Sequence, residues 1–414
     1  MMRIIEICKE EVSFNEKQII SILTAAAIAA GMSAFAVSGG AYSTDTNELT
    51  EELNTMTDTE KEDCINENLD TNLRYLSNLT AVTANADYGL IADLVHEAYE
   101  NGVTAVEIKE AVFQAAPYCG YTRAINALSA VDDALITLDL DIPTESRAGV
   151  TEDNRYDEGL AVQRQLFGSQ IGAITDDMTA AAKLQTLYLS GICFGDFYTR
   201  AGLDLNTREF LTFCTIISNG GCSPQVNSHA LANLGVGHNS AMLRAAVLAN
   251  EKYNGEEKTL EALAIVNALD DSAVGGSTAG EAVPEAAGIN GYTTDAQELT
   301  DMMWHYKTDD ADGYIDASLD ADTQEILAEA AQAVVNESTV PTSDDERIQT
   351  LIDIAVLAAD GTRADEFPSA VEDAANASNS ADSMLAAVLL CVPYNGFPRT
   401  LNTTSAINAA VIEN

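Results

Sequence analysis

Residues Ala116–Val131 read APYCGYTRAINALSAV, Glu251–Val266 read EKYNGEEKTLEALAIV, and Val392–Ile407 read VPYNGFPRTLNTTSAI. The three align without a gap. Tyr118, Tyr253 and Tyr394 coincide, as do Gly120, Gly255 and Gly396, and so do the basic residues Arg123, Lys258 and Arg399. The tyrosines lie 135 and 141 residues apart, a domain-sized period and not that of a solenoid. Each segment follows a helical stretch: GVTAVEIKEAVFQAA, GHNSAMLRAAVLAN and NSADSMLAAVLLCV. In the first, Thr104 and Glu107 are spaced as a capping box, and Val106, Ile108, Val112 and Phe113 supply apolar positions for one buried face. The shared unit is helix, short Tyr-x-Gly turn, helix. No run alternates apolar and polar residues as a half-buried strand would. These patterns predict an all-α protein of three tandem units over 41–145, 150–270 and 291–414. Two linkers rich in turn-forming or small residues, 141–154 and 271–291, separate them.

The chain has 414 residues, 47% of them hydrophobic, enough to bury more than one core and unlike a disordered segment. Acidic residues number 65 against 20 basic ones, for a formal net charge of −45. That balance argues against nucleic acid and anionic membrane surfaces as partners, since both need clustered Lys and Arg. An acidic shell keeps such a chain soluble. The seven cysteines are scattered without a CxxC pair and the four histidines are dispersed, so no metal site, cofactor motif or disulfide framework is expected. The stretch Thr308–Leu319 (TDDADGYIDASL) resembles a calcium loop at Asp310, Asp312, Gly313, Ile315 and Asp316. Thr308 and Leu319 fail its first and last positions, and it reads as an acidic loop.

Residues 1–40 carry Lys17 ahead of the apolar QIISILTAAAIAAGMSAFAVSGGAYS, with an Ala-Phe-Ala ending at Ala34–Ala36. This reads as a secretory leader and predicts export to the envelope or beyond. A membrane span or buried helix in a cytoplasmic chain is the alternative, because Ile19–Val37 is nearly long enough to span.

The chemistry-bearing stretch is Asn219–Ala230, NGGCSPQVNSHA. After Gly220-Gly221, Ser223 is placed to cap a helix and Pro224 suits its first position. Cys222 then stands just before a helix N-terminus, where the dipole and free N–H groups favour a thiolate. Gln225 and His229 share one helical face with Cys222. Cys222 and His229 are two turns apart, roughly 10 Å along the axis, too far to touch directly. On the preceding helix Asn206 is placed to cap from Thr207, with Glu209 three residues on, and Phe210, Phe213, Cys214 and Ile217 face inward. The three motif tyrosines read as packing residues.

The stretch Phe194–Asn239, together with the three Tyr-x-Gly segments, resembles the carboxymuconolactone decarboxylase family, which includes the alkylhydroperoxidase D-like proteins. The resemblance runs over all three units and is fullest in the middle one. It implies a helical fold and one of two chemistries, lactone decarboxylation or thiol-based peroxide reduction. In the peroxidase branch the pattern is Cys-x-x-Cys followed by His four residues on, with a glutamate on the preceding helix. Cys222 falls on the first cysteine, Gln225 on the second, His229 on the histidine and Glu209 near the glutamate. The leading expectation is therefore a thiol-dependent, peroxiredoxin-type oxidoreductase using Cys222, with Glu209 and His229 moving the proton and an external thiol as reductant. The alternative is a decarboxylase of a small carboxylated lactone, with Glu209 and His229 as acid and base and Arg200 or Arg208 holding the anion. A non-catalytic repeat protein binding a small ligand or partner is the third. The outer units carry Leu94 and Ala370 at the place of His229, so the middle unit holds the site. The resemblance also implies that the three units associate as separate family subunits do, with a homo-oligomer as a further expectation.

Overall fold

The computed structural model describes residues 46–175, 180–272, 295–308, 319–336 and 338–413. The leader-like segment 1–40 and the core of the calcium-like loop lie outside the described residues. The described residues are helical and contain no strand.

The chain opens with α1 (Thr46–Thr55) and α2 (Asp58–Asn68). Four helices follow: α3 (Thr71–Ala84), α4 (Ile91–Glu100), α5 (Ala105–Cys119) and α6 (Tyr121–Thr137). The expected box at the start of α5 forms, with Thr104 Oγ1 accepting from Glu107 N at 3.2 Å and Glu107 Oε2 accepting from Thr104 N at 2.8 Å. Next come α7 (Arg155–Phe167) and α8 (Ala180–Leu187), the latter continuing into a wide π-helical segment, Tyr188–Phe197. The same order of four then recurs as α9 (Leu205–Asn219), α10 (Ser223–Gly235), α11 (Ser240–Ala249) and α12 (Glu251–Asn267), with Gly255 breaking α12 near its start. After α13 (Asp295–Thr308) and α14 (Ala321–Val335) it recurs again, as α15 (Glu346–Asp360), α16 (Phe367–Asn376), α17 (Ala381–Leu390) with the short α18 (Val392–Asn395), and α19 (Phe397–Glu413).

Gly120, Gly255 and Gly396 each take a positive φ, of 95°, 75° and 83°, at the joint before the last helix of each set. The turns of the first and third sets abut. A Cβ on Gly120 would stand 2.1 Å from the Tyr394 carbonyl oxygen, and one on Gly396 2.1 Å from that of Tyr118.

Two helices lie at the centre. All residues of α9 from Arg208 to Asn219 are buried, as are those of α5 from Ile108 to Cys119. A helix buried on every side cannot rely on one apolar stripe, so its polar side chains must meet partners inside the protein. α9 packs against α3, α5, α10 and α12. Almost all of the buried apolar residues, from Leu53 to Ile407, belong to one continuous core.

Candidate functional site

α9 begins two residues earlier than expected. Asp204, not Asn206, is its cap, accepting from Thr207 N at 2.7 Å. Glu209 is therefore not the reciprocal partner of a capping box but an interior residue of a buried helix. Its carboxylate needs other partners and has two. Oε1 lies 2.7 Å from His229 Nδ1 on α10, and Oε2 accepts from the Tyr198 hydroxyl at 2.7 Å. Glu209 and His229 are both almost wholly buried.

Binding of Nδ1 by Glu209 leaves Nε2 as the imidazole nitrogen for chemistry. The Phe167 and Tyr118 rings meet His229 edge to face, at centroid distances of 5.2 and 5.7 Å, and fix its plane. Asn233 holds the backbone of the pair, donating to Glu209 O at 3.2 Å and to His229 O at 2.8 Å.

A line of hydrogen bonds leads away from Glu209. The Tyr198 hydroxyl accepts from Tyr118 at 3.2 Å and lies 2.9 Å from Thr212 Oγ1. The Tyr118 hydroxyl in turn accepts from the Cys193 thiol at 3.4 Å. Burial, reinforced by neighbouring acidic groups, pushes both tyrosines well above their usual range, so each remains a neutral donor. Burial likewise pushes the Cys193 thiol up to about 12, against the Tyr118 hydrogen bond. Cys193 sits on the π-helical segment, a form of backbone found often at functional sites.

His229, Gln225, Cys193 and Tyr118 line one cavity, walled by apolar side chains that include Phe397 and Leu401 of α19. About 10 Å³ of it is open to a water-sized molecule, room for roughly one water. Gln225 donates Nε2 to Asn402 Oδ1 at 2.8 Å, while its own amide oxygen is buried without a partner.

Three expectations are corrected. Cys222 does precede α10, as its cap residue, but its thiol is 1% exposed and sits 3.2 Å from Gly220 O. Burial pushes it up to about 12 even though Arg399 pulls the other way; desolvation outweighs the helix terminus that was expected to ionise it. Cys222 also lines a different cavity, with Ile216, Val226 and Lys258, and so does not share that of His229. Ser223 is inside α10 and turns its hydroxyl to Glu261 instead of capping.

Arg200 and Arg208 are not free to hold a substrate anion. Arg200 donates to Glu110 at 2.8 Å through Nη2 and to Glu298 at 2.8 Å through Nη1. Arg208 donates to Glu110 at 2.9 Å and to Gln114 at 3.1 Å. All four charged groups are at least 97% buried, a sealed ion cluster. Burial pushes the Glu110 carboxyl up, but the two guanidiniums outweigh it and hold it below the usual carboxylate range. Gln114 Nε2 donates to Thr212 Oγ1 at 3.0 Å, which joins this cluster to the Tyr198–Glu209 line.

Glu209, Gln225 and His229 thus lie together, as their spacing in the sequence implies, and Tyr118, Tyr198 and Cys193 join them with no local signal. Tyr198 and Cys193 lie in or beside the stretch that carried the resemblance, but only the fold brings their side chains to Glu209. In the first and third sets Leu94 and Ala370 occupy the helices equivalent to α10, and Tyr75 and Thr350, like Glu209, stand five residues after the Asp that caps their helix.

Residues 50–133 match the model of the Carboxymuconolactone decarboxylase family. The match runs from α1 into α6 and does not extend to the middle set, where the resemblance is fullest. No curated protein matches the chain.

Proposed function

We propose that this protein is an acid–base enzyme of the decarboxylase type, acting on a small lactone or related carbonyl acid, and that its three helical sets are repeats of one family-like unit of which the middle one reacts. The observation that carries this reading is the buried Glu209–His229 pair, 2.7 Å apart, on the wall of a cavity. Glu209 fixes the tautomer of His229 and stabilises the imidazolium once Nε2 has taken a proton. Tyr198 keeps Glu209 an acceptor by donating to its second oxygen. A substrate carboxylate against Phe194, Phe397 and Leu401 would lose its water shell. As the C–C bond breaks and CO₂ leaves, its electron pair passes to the carbonyl as an enolate, and a His229 imidazolium, protonated at Nε2 by water before the step, delivers that proton to carbon. A desolvated carboxylate without a paired cation releases CO₂ more readily, since its charge disperses in the step. The present space is that of about one water, so the substrate must displace the α19 wall to enter.

The test is CO₂ release from a carboxylated γ-lactone. His229→Gln and Glu209→Gln are expected to lower kcat by about 10²–10⁴-fold. Cys222→Ser should leave it unchanged. Full activity in His229→Gln would overturn the reading.

A second reading has its own support in the line Cys193–Tyr118–Tyr198–Glu209 and in the place of Cys193 on the same cavity wall as His229. In it Cys193, not Cys222, attacks hydrogen peroxide; the thiol proton passes along the line, the O–O bond breaks, and sulfenic acid and water form, with an external thiol restoring Cys193. Peroxide consumption with dithiothreitol that is lost in Cys193→Ser and kept in Cys222→Ser would establish it.

A further inference from the structure

The basic residues of the three repeated segments are not used at the Glu209–His229 site, yet the fold brings them together. Arg123, Lys258 and Arg399 line one cavity of about 300 Å³, by far roomier than the one at His229. They come from α6, α12 and α19, the last helix of each set. Each donates to the carboxyl end of the first helix of its own set: Arg123 to Ala84 O at 2.9 Å, Lys258 to Ser218 O at 2.6 Å, and Arg399 to Ala359 O. Each also reaches a neighbouring set: Arg123 takes Asn219 Oδ1 at 3.1 Å, Lys258 takes Asn85 Oδ1 at 2.8 Å, and Arg399 takes Asn219 O.

All of these partners are neutral oxygens. Carbonyls at a helix end offset part of a cation's charge but do not cancel it. Within the described residues none of the three cations makes an ion pair, in a chain where acids outnumber bases 65 to 20. Glu257, Glu261 and Asp360 also line the cavity; Glu257 attracts Lys258 and Asp360 attracts Arg399, but among the described residues no ion pair joins them to the three cations. Glu261 accepts from Ser223, and Asp360 accepts from Thr362 and lies 3.9 Å from Arg363. Arg399 is 91% buried, and its Nε–H has no acceptor; the buried Nε–H of Arg123 has none either. Three converging, partly desolvated cations with donors to spare are costly unless a negative charge joins them. Lys258 registers the strain: burial first, then Arg399 and Arg123, bring its ammonium down to about 8, against the opposing pull of Asp87 and Glu257.

We propose that the cavity lined by Arg123, Lys258 and Arg399 is a binding site for a small oxyanion, with the three sets of helices contributing one cation each. The chemistry that fits is a phosphate or a carboxylate of a few carbons: multiple acceptor oxygens facing planar and tetrahedral donors, in a cavity of about 300 Å³. Binding there ties the three sets together, since the anion completes a charge balance that no one set can make alone. It does not depend on the reaction at His229.

Isothermal titration of the full chain at fixed ionic strength, with inorganic phosphate in one arm and succinate in the other, tests this. Saturable binding of one anion per chain is expected in at least one arm, and the tighter arm identifies the ligand class. Lys258→Met and Arg123→Met should each weaken it at least tenfold, while Lys258→Arg retains it; circular dichroism checks that each variant is folded. No saturable heat in either arm, or binding that both Met variants leave intact, overturns the proposal.

Discussion

Glu110 shows how much a single buried charge can hold. Its carboxylate takes both Arg200 and Arg208, and Arg200 passes on to Glu298 while its guanidinium lies 3.9 Å over the Phe113 ring. Removing one member of a buried ion cluster strands the others without counter-charge, at a cost of about 3–5 kcal/mol. Glu110→Ala is therefore expected to lower stability by that amount in urea unfolding, and Glu110→Gln by less, because the amide oxygen still accepts one guanidinium. A Glu110→Ala chain as stable as the parent would show that the cluster is incidental. The cluster also explains why two arginines that look like substrate clamps in the sequence are not. Their partners, Glu110 and Glu298, lie 90 and 98 residues from Arg200, beyond any local pattern. Cys222 is not the ionised thiol beside His229 that its place in the sequence led one to expect, for a related reason. Its place at the start of α10 was legible, because Pro224 and the glycine pair mark it, but burial is set by packing from elsewhere and here it outweighs the helix dipole.

At the scale of elements, the helices and their joints were legible where the signal was local. The Thr104–Glu107 box and the Tyr-x-Gly joints are such cases. The start of α9 was not, because Asp204 and Asn206 are both good caps. Asp204 prevails and carries Glu209 into the helix interior, where it can meet His229. The three joints look alike in sequence but differ in their surroundings. Gly120 and Gly396 press against each other's turns, with backbone oxygens 2.1 Å from where a Cβ would stand, whereas nothing lies within 4 Å of Gly255. Gly255→Ala therefore meets only the backbone cost of its positive φ and extended ψ (75° and 172°), a region nearly reserved to glycine, about 1–3 kcal/mol. Gly120→Ala and Gly396→Ala must also separate the first and third sets, and are expected to cost clearly more. Thermal unfolding of the three variants side by side checks the order; equal losses would mean that the two turns do not depend on close contact.

For the molecule as a whole, charge and packing pull in opposite directions. A formal net charge of −45 repels itself most strongly when the chain is compact, so the folded state bears more of the repulsion than the unfolded one. Salt shortens the reach of that repulsion, with a screening length of about 10 Å at 0.1 M and about 3 Å at 1 M. Sodium chloride is thus expected to raise Tm steadily across this range, by roughly 1 °C for each kcal/mol of repulsion removed from a chain of 414 residues. The Glu110 cluster gives the internal control. It is sealed from solvent, so salt should not screen it, and the deficit of Glu110→Ala relative to the parent should stay constant while both curves rise. A flat or falling Tm would mean that the acidic residues are not felt as a net field. A deficit that shrinks with salt would mean that the cluster is open to water, and with it the interior on which Glu209 and His229 depend.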